Sequence, residues 1–216
     1  SVSLNDALSN PTGASPTAKS GDQARNVRLQ RIANRTTIRV ETGKIDLDTW
    51  AMHKTLIHPI FQVIDQDGWA YGFAPKYTGS FYIGGFRNDL IAGARVYAGD
   101  NAARQYINVS GTSGTQTLNA RQVANNYEAY LENRFFFLPQ VALMTGAKVL
   151  RNERKYNDYG GLPASPTAKA DSKTYDGVNP KVGLIWEPRP DVQVFADVTR
   201  SMDVPAVIGV DDAMAR

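Results

Sequence analysis

The chain has 216 residues, 42% of them hydrophobic, with 24 basic against 21 acidic side chains and no cysteine. A net charge of +3 with no basic run excludes a nucleic-acid footprint, and the missing cysteine excludes disulfides, thiol nucleophiles and thiolate metal sites. No stretch reaches ~18 apolar residues, which excludes a membrane-spanning helix but not a spanning strand, because the wet face of a barrel dilutes its apolar face.

Residues 1–26 are rich in Ser, Pro, Gly and Asn and read as a loop. From Val27 to Glu41 a strand is expected, since Arg35, Thr37 and Arg39 alternate with Thr36, Ile38 and Val40. Thr42-Gly43 signals a turn, and a second strand runs from Ile45 to about Leu56, with Ile45, Leu47 and Ala51 set against Asp46, Asp48, Trp50 and Met52. Ile57–Gly68 reads as a loop. The third strand, Trp69–Tyr77, alternates aromatic with small residues, and Gly79-Ser80 and Gly84-Gly85 bracket a turn. A fourth strand covers Arg87–Ala98, followed by a polar stretch, Gly99–Arg121, that reads as a long loop. Strand five, Gln122–Phe137, turns at Leu138-Pro139-Gln140 into strand six, Val141–Arg154, and Tyr156–Thr174 reads as another long loop. A further loop is expected to begin near Val204.

Between those last two loops lies the most legible segment. Lys181–Glu187 and Asp191–Arg200 alternate with period two around Pro188-Arg189-Pro190-Asp191, which spells a β-hairpin. Taken together, the connections alternate short and long, as in an up-and-down meander with short turns at one rim and long loops at the other. One face of each strand is apolar and aromatic; the other carries Asp46, Asp48, Lys76, Arg95, Glu128, Glu132, Arg134, Lys148 and Asp197. Trp50, Trp69, Tyr71, Phe73, Tyr82, Phe86, Phe135, Phe136, Phe137 and Trp186 fall near strand ends, where interfacial aromatic girdles would lie.

The same hairpin carries a family resemblance. Asn179-Pro180-Lys181-Val182-Gly183-Leu184-Ile185-Trp186, a proline turn, then Phe195-Ala196-Asp197-Val198-Thr199-Arg200-Ser201 resembles the barrel hairpins of TonB-dependent outer-membrane receptors. Ala33–Thr37, Leu56–Asp65 and Tyr130–Phe135 are similar to barrel segments of the iron-siderophore branch. The resemblance implies an all-β, antiparallel meander forming part of a transmembrane barrel of about 22 strands in a Gram-negative outer membrane. It also implies energy-coupled uptake of a ferric siderophore or other metal chelate, with outer-membrane lipid, a plug domain and TonB as partners, and no cofactor. Residues 1–216 would be an internal barrel fragment without the plug. The ligand-binding candidates on loops or upper strand ends are Arg104, Tyr106, Arg134, Arg154, Lys155 and Tyr159, suited to an anionic chelate. A plug-free passive porin or adhesin barrel is the alternative, and a soluble β-domain a third.

Other motifs carry less. His53, His58, Asp65 and Asp67 fit no compact metal spacing. Glu128 and Glu132 stand roughly 13 Å apart by strand rise, too far for a glycosidase pair. No catalytic set is visible, so an enzyme is not expected. Ala14–Lys19 recurs as Ala164–Lys169, and Asn108-Val109-Ser110 matches a glycosylation pattern that a bacterial barrel would not be expected to use.

Overall fold

Among the described residues, eight strands pair in strict chain order, each antiparallel to the next, in a single sheet. They are β1 (Asn26–Val40), β2 (Gly43–Pro59), β3 (Gln62–Ile83), β4 (Phe86–Val109), β5 (Thr112–Leu138), β6 (Val141–Asp158), β7 (Lys169–Arg189) and β8 (Val192–Thr199). The structure, a computed structural model, describes residues 3–202; the loop expected near Val204 lies outside them. Two short helices, α1 (Leu4–Ser9) and α2 (Pro16–Ser20), occupy the N-terminal stretch read as loop.

The long loops expected at 57–67 and 99–121 are almost entirely strand, and the one expected at 156–174 is a loop at 159–168 flanked by strand. β2 and β3 meet at a tight turn at 60–61, β4 and β5 at 110–111, and only 159–168 is an extended connection. Ser110 and Gly111 have φ of 47° and 88°, and Gly84 and Gly85 φ of 59° and 85°. Positive φ at both central residues is what a two-residue hairpin turn of matching twist requires. The alternation of loop lengths is therefore an alternation of hairpin height. At one rim the turns at 41–42, 84–85, 139–140 and 190–191 are short; at the other, the β2–β3, β4–β5 and β6–β7 hairpins run on.

The register sorts the side chains onto two faces, because directly paired residues point the same way. One face holds Trp69, Tyr71, Phe73, Pro75 and Tyr77 on β3; Leu90, Ala92, Ala94, Val96 and Ala98 on β4; and Tyr127, Ala129, Leu131, Asn133 and Phe135 on β5. On β6 and β7 it continues through Val141, Leu143, Thr145, Ala147 and Val149, then Val178, Pro180, Val182, Leu184 and Trp186. No charge interrupts this band. Its nine-residue depth per strand matches the ~9–11 residues a tilted strand needs to cross a bilayer.

Val182, Leu184, Val194, Ala196 and Leu143 all lie exposed on this face, as the hairpin pattern predicts; Val192, beside its turn, is half-buried. The opposite face is crowded. Phe136, Ala142, Met144 and Ile185 form its buried cluster, and Asp46, Asn126, Asn152, Arg154 and Asn179 are buried there too. Side chains converge on the concave side of a curved sheet, so this is the inner face. Pro75, lacking an N–H, falls where the β3–β4 ladder skips from Phe73 to Lys76.

Candidate functional site

The inner face has two storeys. In the lower one, level with the apolar band, every carboxylate from β2 to β6 has a cation. Asp48 pairs with Arg35 at 2.5 Å; Asp46 with Lys44 at 3.0 Å and Lys76 at 4.0 Å, while accepting from Thr37 at 2.7 Å. Arg87 holds Asp89 at 2.5 Å and lies over the Phe136 ring, Arg95 meets Glu128 at 3.7 Å, and Glu132 sits between Lys181 at 3.1 Å and Arg134 at 3.6 Å. Two glycines make room for rings here. A Cβ on Gly72 would fall 2.5 Å from the Trp50 indole nitrogen, and one on Gly93 2.6 Å from the Tyr130 hydroxyl. Trp50 and Phe136 are thus inner-face residues rather than members of an interfacial girdle; Trp69, Tyr71, Phe73, Phe135 and Trp186 are on the outer face as expected.

In the upper storey of β2 to β5, carboxylates disappear from the inner face. Successive rows read Trp50–Gly72–Tyr97–Asn126, Met52–Ala70–Gly99–Ala124 and Lys54–Gly68–Asn101–Gln122. The last two of these rows, with Leu56 and Gln66, line a cleft of about 360 Å³, to which Trp69, Asp100 and Val123 also contribute. Asn101 Nδ2 donates to Gln122 Oε1 at 3.2 Å across it. Beside it on β6, burial pushes the Tyr156 hydroxyl's pKa up, helped by Asp158. Among the described residues, no group of His, Cys, Asp and Glu could hold a metal ion.

The six ligand candidates do not converge. Arg104 and Tyr106 are on the outer face above the apolar band, with Arg104 paired to Asp65 at 3.1 Å; Lys155 is also outside and exposed. Arg134 is on the inner face near the 139–140 turn, not at an upper strand end. Arg154 is in the upper inner face but 6% exposed, donating to Asn126 Oδ1 at 2.8 Å and to the carbonyls of Glu153 and Asn125. Tyr159 is exposed in the 159–168 loop. Other outer charges above the band form surface pairs: His53 with Asp67 at 2.7 Å, Arg151 with Glu153 at 3.4 Å, and Arg121 with Asp100, which raises the arginine's pKa.

Asn108 has a role that its sequence pattern does not suggest. Its Nδ2 donates to Gly21 O at 2.8 Å and Ile60 O at 2.6 Å, and its Oδ1 accepts from Gly111 N at 2.7 Å. One amide thus ties the segment after α2 to the tips of both the β2–β3 and the β4–β5 hairpins. His58 Nδ1 to Ala24 O at 2.6 Å and Ala24 N to Pro59 O at 3.2 Å extend the same strap. Only an Asn-x-x-Gly spacing across a turn could have signalled it. The repeated segments diverge: Ser15 caps α2, while Ser165 donates to Asp158 at 2.5 Å within a tight loop.

The family described as TonB dependent receptor-like, beta-barrel matches residues 5–213. No curated protein matches the sequence. Solved structures with this fold include the open form of the ferric-catecholate import receptor Fiu from E. coli, at TM-score 0.68 and 14% identity, over 94% of this chain and 40% of that one. The alcaligin receptor FauA from Bordetella pertussis aligns at TM-score 0.65 and 14% identity over 81% and 29%, and the unliganded ferric citrate transporter FecA at 0.64 and 12% over 80% and 27%. The chain spans less than half the length of each.

Proposed function

Because the chain belongs to the TonB dependent receptor-like β-barrel family, we propose that it forms part of the wall and external hairpins of an outer-membrane receptor taking up a ferric siderophore or similar metal chelate. The observation that carries this reading is the two-faced sheet, with an uncharged apolar band outside and a cation-bearing, amide-rich surface inside. Solved receptors of the same fold are described as handling ferric citrate, ferric catecholates and alcaligin. In this reading the band lies in lipid, the four short turns face the periplasm of a Gram-negative cell, and the tall hairpins face outward. The rest of the barrel, a plug domain and TonB complete the transporter. Its work is binding and gated passage, not catalysis.

The wall's own residues divide that work. Lys54 and Arg31, with no carboxylate partner among the described residues, raise the local concentration of an anionic chelate at the upper inner face. The paired charges below keep a polar inner surface in place without presenting a strong trap of one sign.

Uptake of radioactive ferric chelates by iron-limited cells, with and without the full-length receptor, tests the reading. Receptor-dependent uptake abolished by a protonophore is expected. Uptake indifferent to the protonophore would mean a passive pore, and no receptor-dependent uptake of any chelate would sink the proposal. Sidedness is tested on the same cells: Ser113→Cys and Ala168→Cys should react with an impermeant thiol reagent and Arg189→Cys should not. The reverse pattern would invert the topology.

A further inference from the structure

We infer that the cleft on the upper inner face of β2–β5 is a subsite for a planar aryl group carrying anionic or strongly accepting oxygens, such as a catecholate or hydroxybenzoate. The row Ala70–Gly99–Ala124 crosses three adjacent strands with no side chain longer than a methyl. At ~4.8 Å between strands, that gives a flat apolar floor about 10 Å long, the size of a substituted six-membered ring. Met52 closes one end of the row, and a thioether makes favourable contact with a ring edge. The row above supplies the polar groups: Lys54, and the Asn101–Gln122 amide pair, which spends only one N–H on itself. Among the described residues Lys54 has no carboxylate partner, and the one acid that borders the cleft, Asp100, belongs to the outer face and is paired there with Arg121.

The alternatives fit less well. A compact polycarboxylate needs several converging cations, yet among the described residues lining the cleft Lys54 is the only one. Arg31 stands one strand outside it, across from Met52, and neighbouring Arg154 is committed to Asn126 and two carbonyls. A small aliphatic chelating group would leave most of the floor uncovered. The cleft's volume, about 360 Å³, lies within the range of small-molecule pockets, which are mostly apolar with a few placed polar groups.

The site deepens the uptake reading, but its test does not depend on transport. Full-length receptor in detergent is titrated with 2,3-dihydroxybenzoate and, separately, with acetohydroxamate and citrate, followed by saturation-transfer NMR. The aryl probe should bind and the other two should not. Gly99→Leu fills the floor; a Cβ there meets nothing closer than Trp69 O at 3.7 Å, so the barrel should keep its heat-modifiable mobility. It should abolish the aryl signal, and Lys54→Met should weaken binding about tenfold, the worth of one charged hydrogen bond. Should Gly99→Leu fail to fold, Lys54→Met and Gly99→Ala decide, the latter expected to give a partial loss. Equal binding of all three probes, or an aryl signal unmoved by both substitutions, overturns the proposal. A wild-type receptor that binds the aryl probe yet takes up no iron chelate would instead refute the uptake reading and leave the subsite standing.

Discussion

The lower and upper halves of the sheet are built from the same continuous strands but obey different rules. Below, on β3 to β7, one face carries an uninterrupted apolar band while the other carries paired charges. Above, both faces are polar: His53, Asp65, Asp67, Arg104 and Arg121 stand outside, Lys54, Gln66, Asn101 and Gln122 inside. Period-two hydrophobicity arises only where a strand separates two unlike solvents. The hydrogen-bonded ladder continues regardless, with β4 reaching Val109 and β5 starting at Thr112.

A charge placed in the band should break this comparison most severely. Ala147→Arg on β6 sits at mid-band on the outer face, and Asn157→Arg lies on the same strand and face above it. The first should cost about 2–4 kcal/mol and the second close to nothing; urea unfolding of the refolded full-length barrel measures both. Equal costs would mean that the band does not face lipid.

Next in size is a pair of inner-face glycines. Gly72→Ala forces a methyl into the Trp50 indole and should cost about 1–3 kcal/mol, as overpacking does. Gly99→Ala, with ordinary contacts only, should be nearly neutral in the same unfolding experiment. Arg154 and Lys155 sharpen the division between faces. Arg154→Met leaves Asn126 Oδ1 and two carbonyls without their donor and should cost about 1–3 kcal/mol. Lys155→Gln, exposed on the outer face, should stay within ~0.5 kcal/mol and leave chelate uptake unchanged. A larger uptake defect for Lys155→Gln than for Arg154→Met would contradict the assignment of faces.

What could be read from sequence follows the same boundary. The hairpin from Lys181 to Arg200 and the strands through Tyr71, Leu90, Leu131 and Leu143 were legible because their alternation reports the two environments. The segment 99–121 and the strand ends on either side of the 159–168 loop lose that alternation on leaving the apolar band and so read as loop, although Ser110-Gly111 is a hairpin turn signal in its own right. Site residues were harder. Choosing Arg104, Tyr106, Lys155 and Tyr159 required knowing which face each occupies, and a one-residue slip of register reverses that. The cleft was invisible for another reason: it is made by what Ala70, Gly99 and Ala124 lack, and they come together only once three strands are aligned.

The Asn108 clip bears on how a ligand would be received. Flexible loops around a binding site must be ordered when the ligand arrives, and that loss of freedom is deducted from affinity, ~0.5–1.5 kcal/mol for each side chain immobilised. Here two hairpin tips and the segment after α2 are already joined through one amide. The β2–β5 side of the rim is therefore preorganised: a ligand entering the cleft meets a surface whose ordering was completed when the protein folded. The 159–168 connection, the longest between strands, is where any adjustment to the ligand would concentrate.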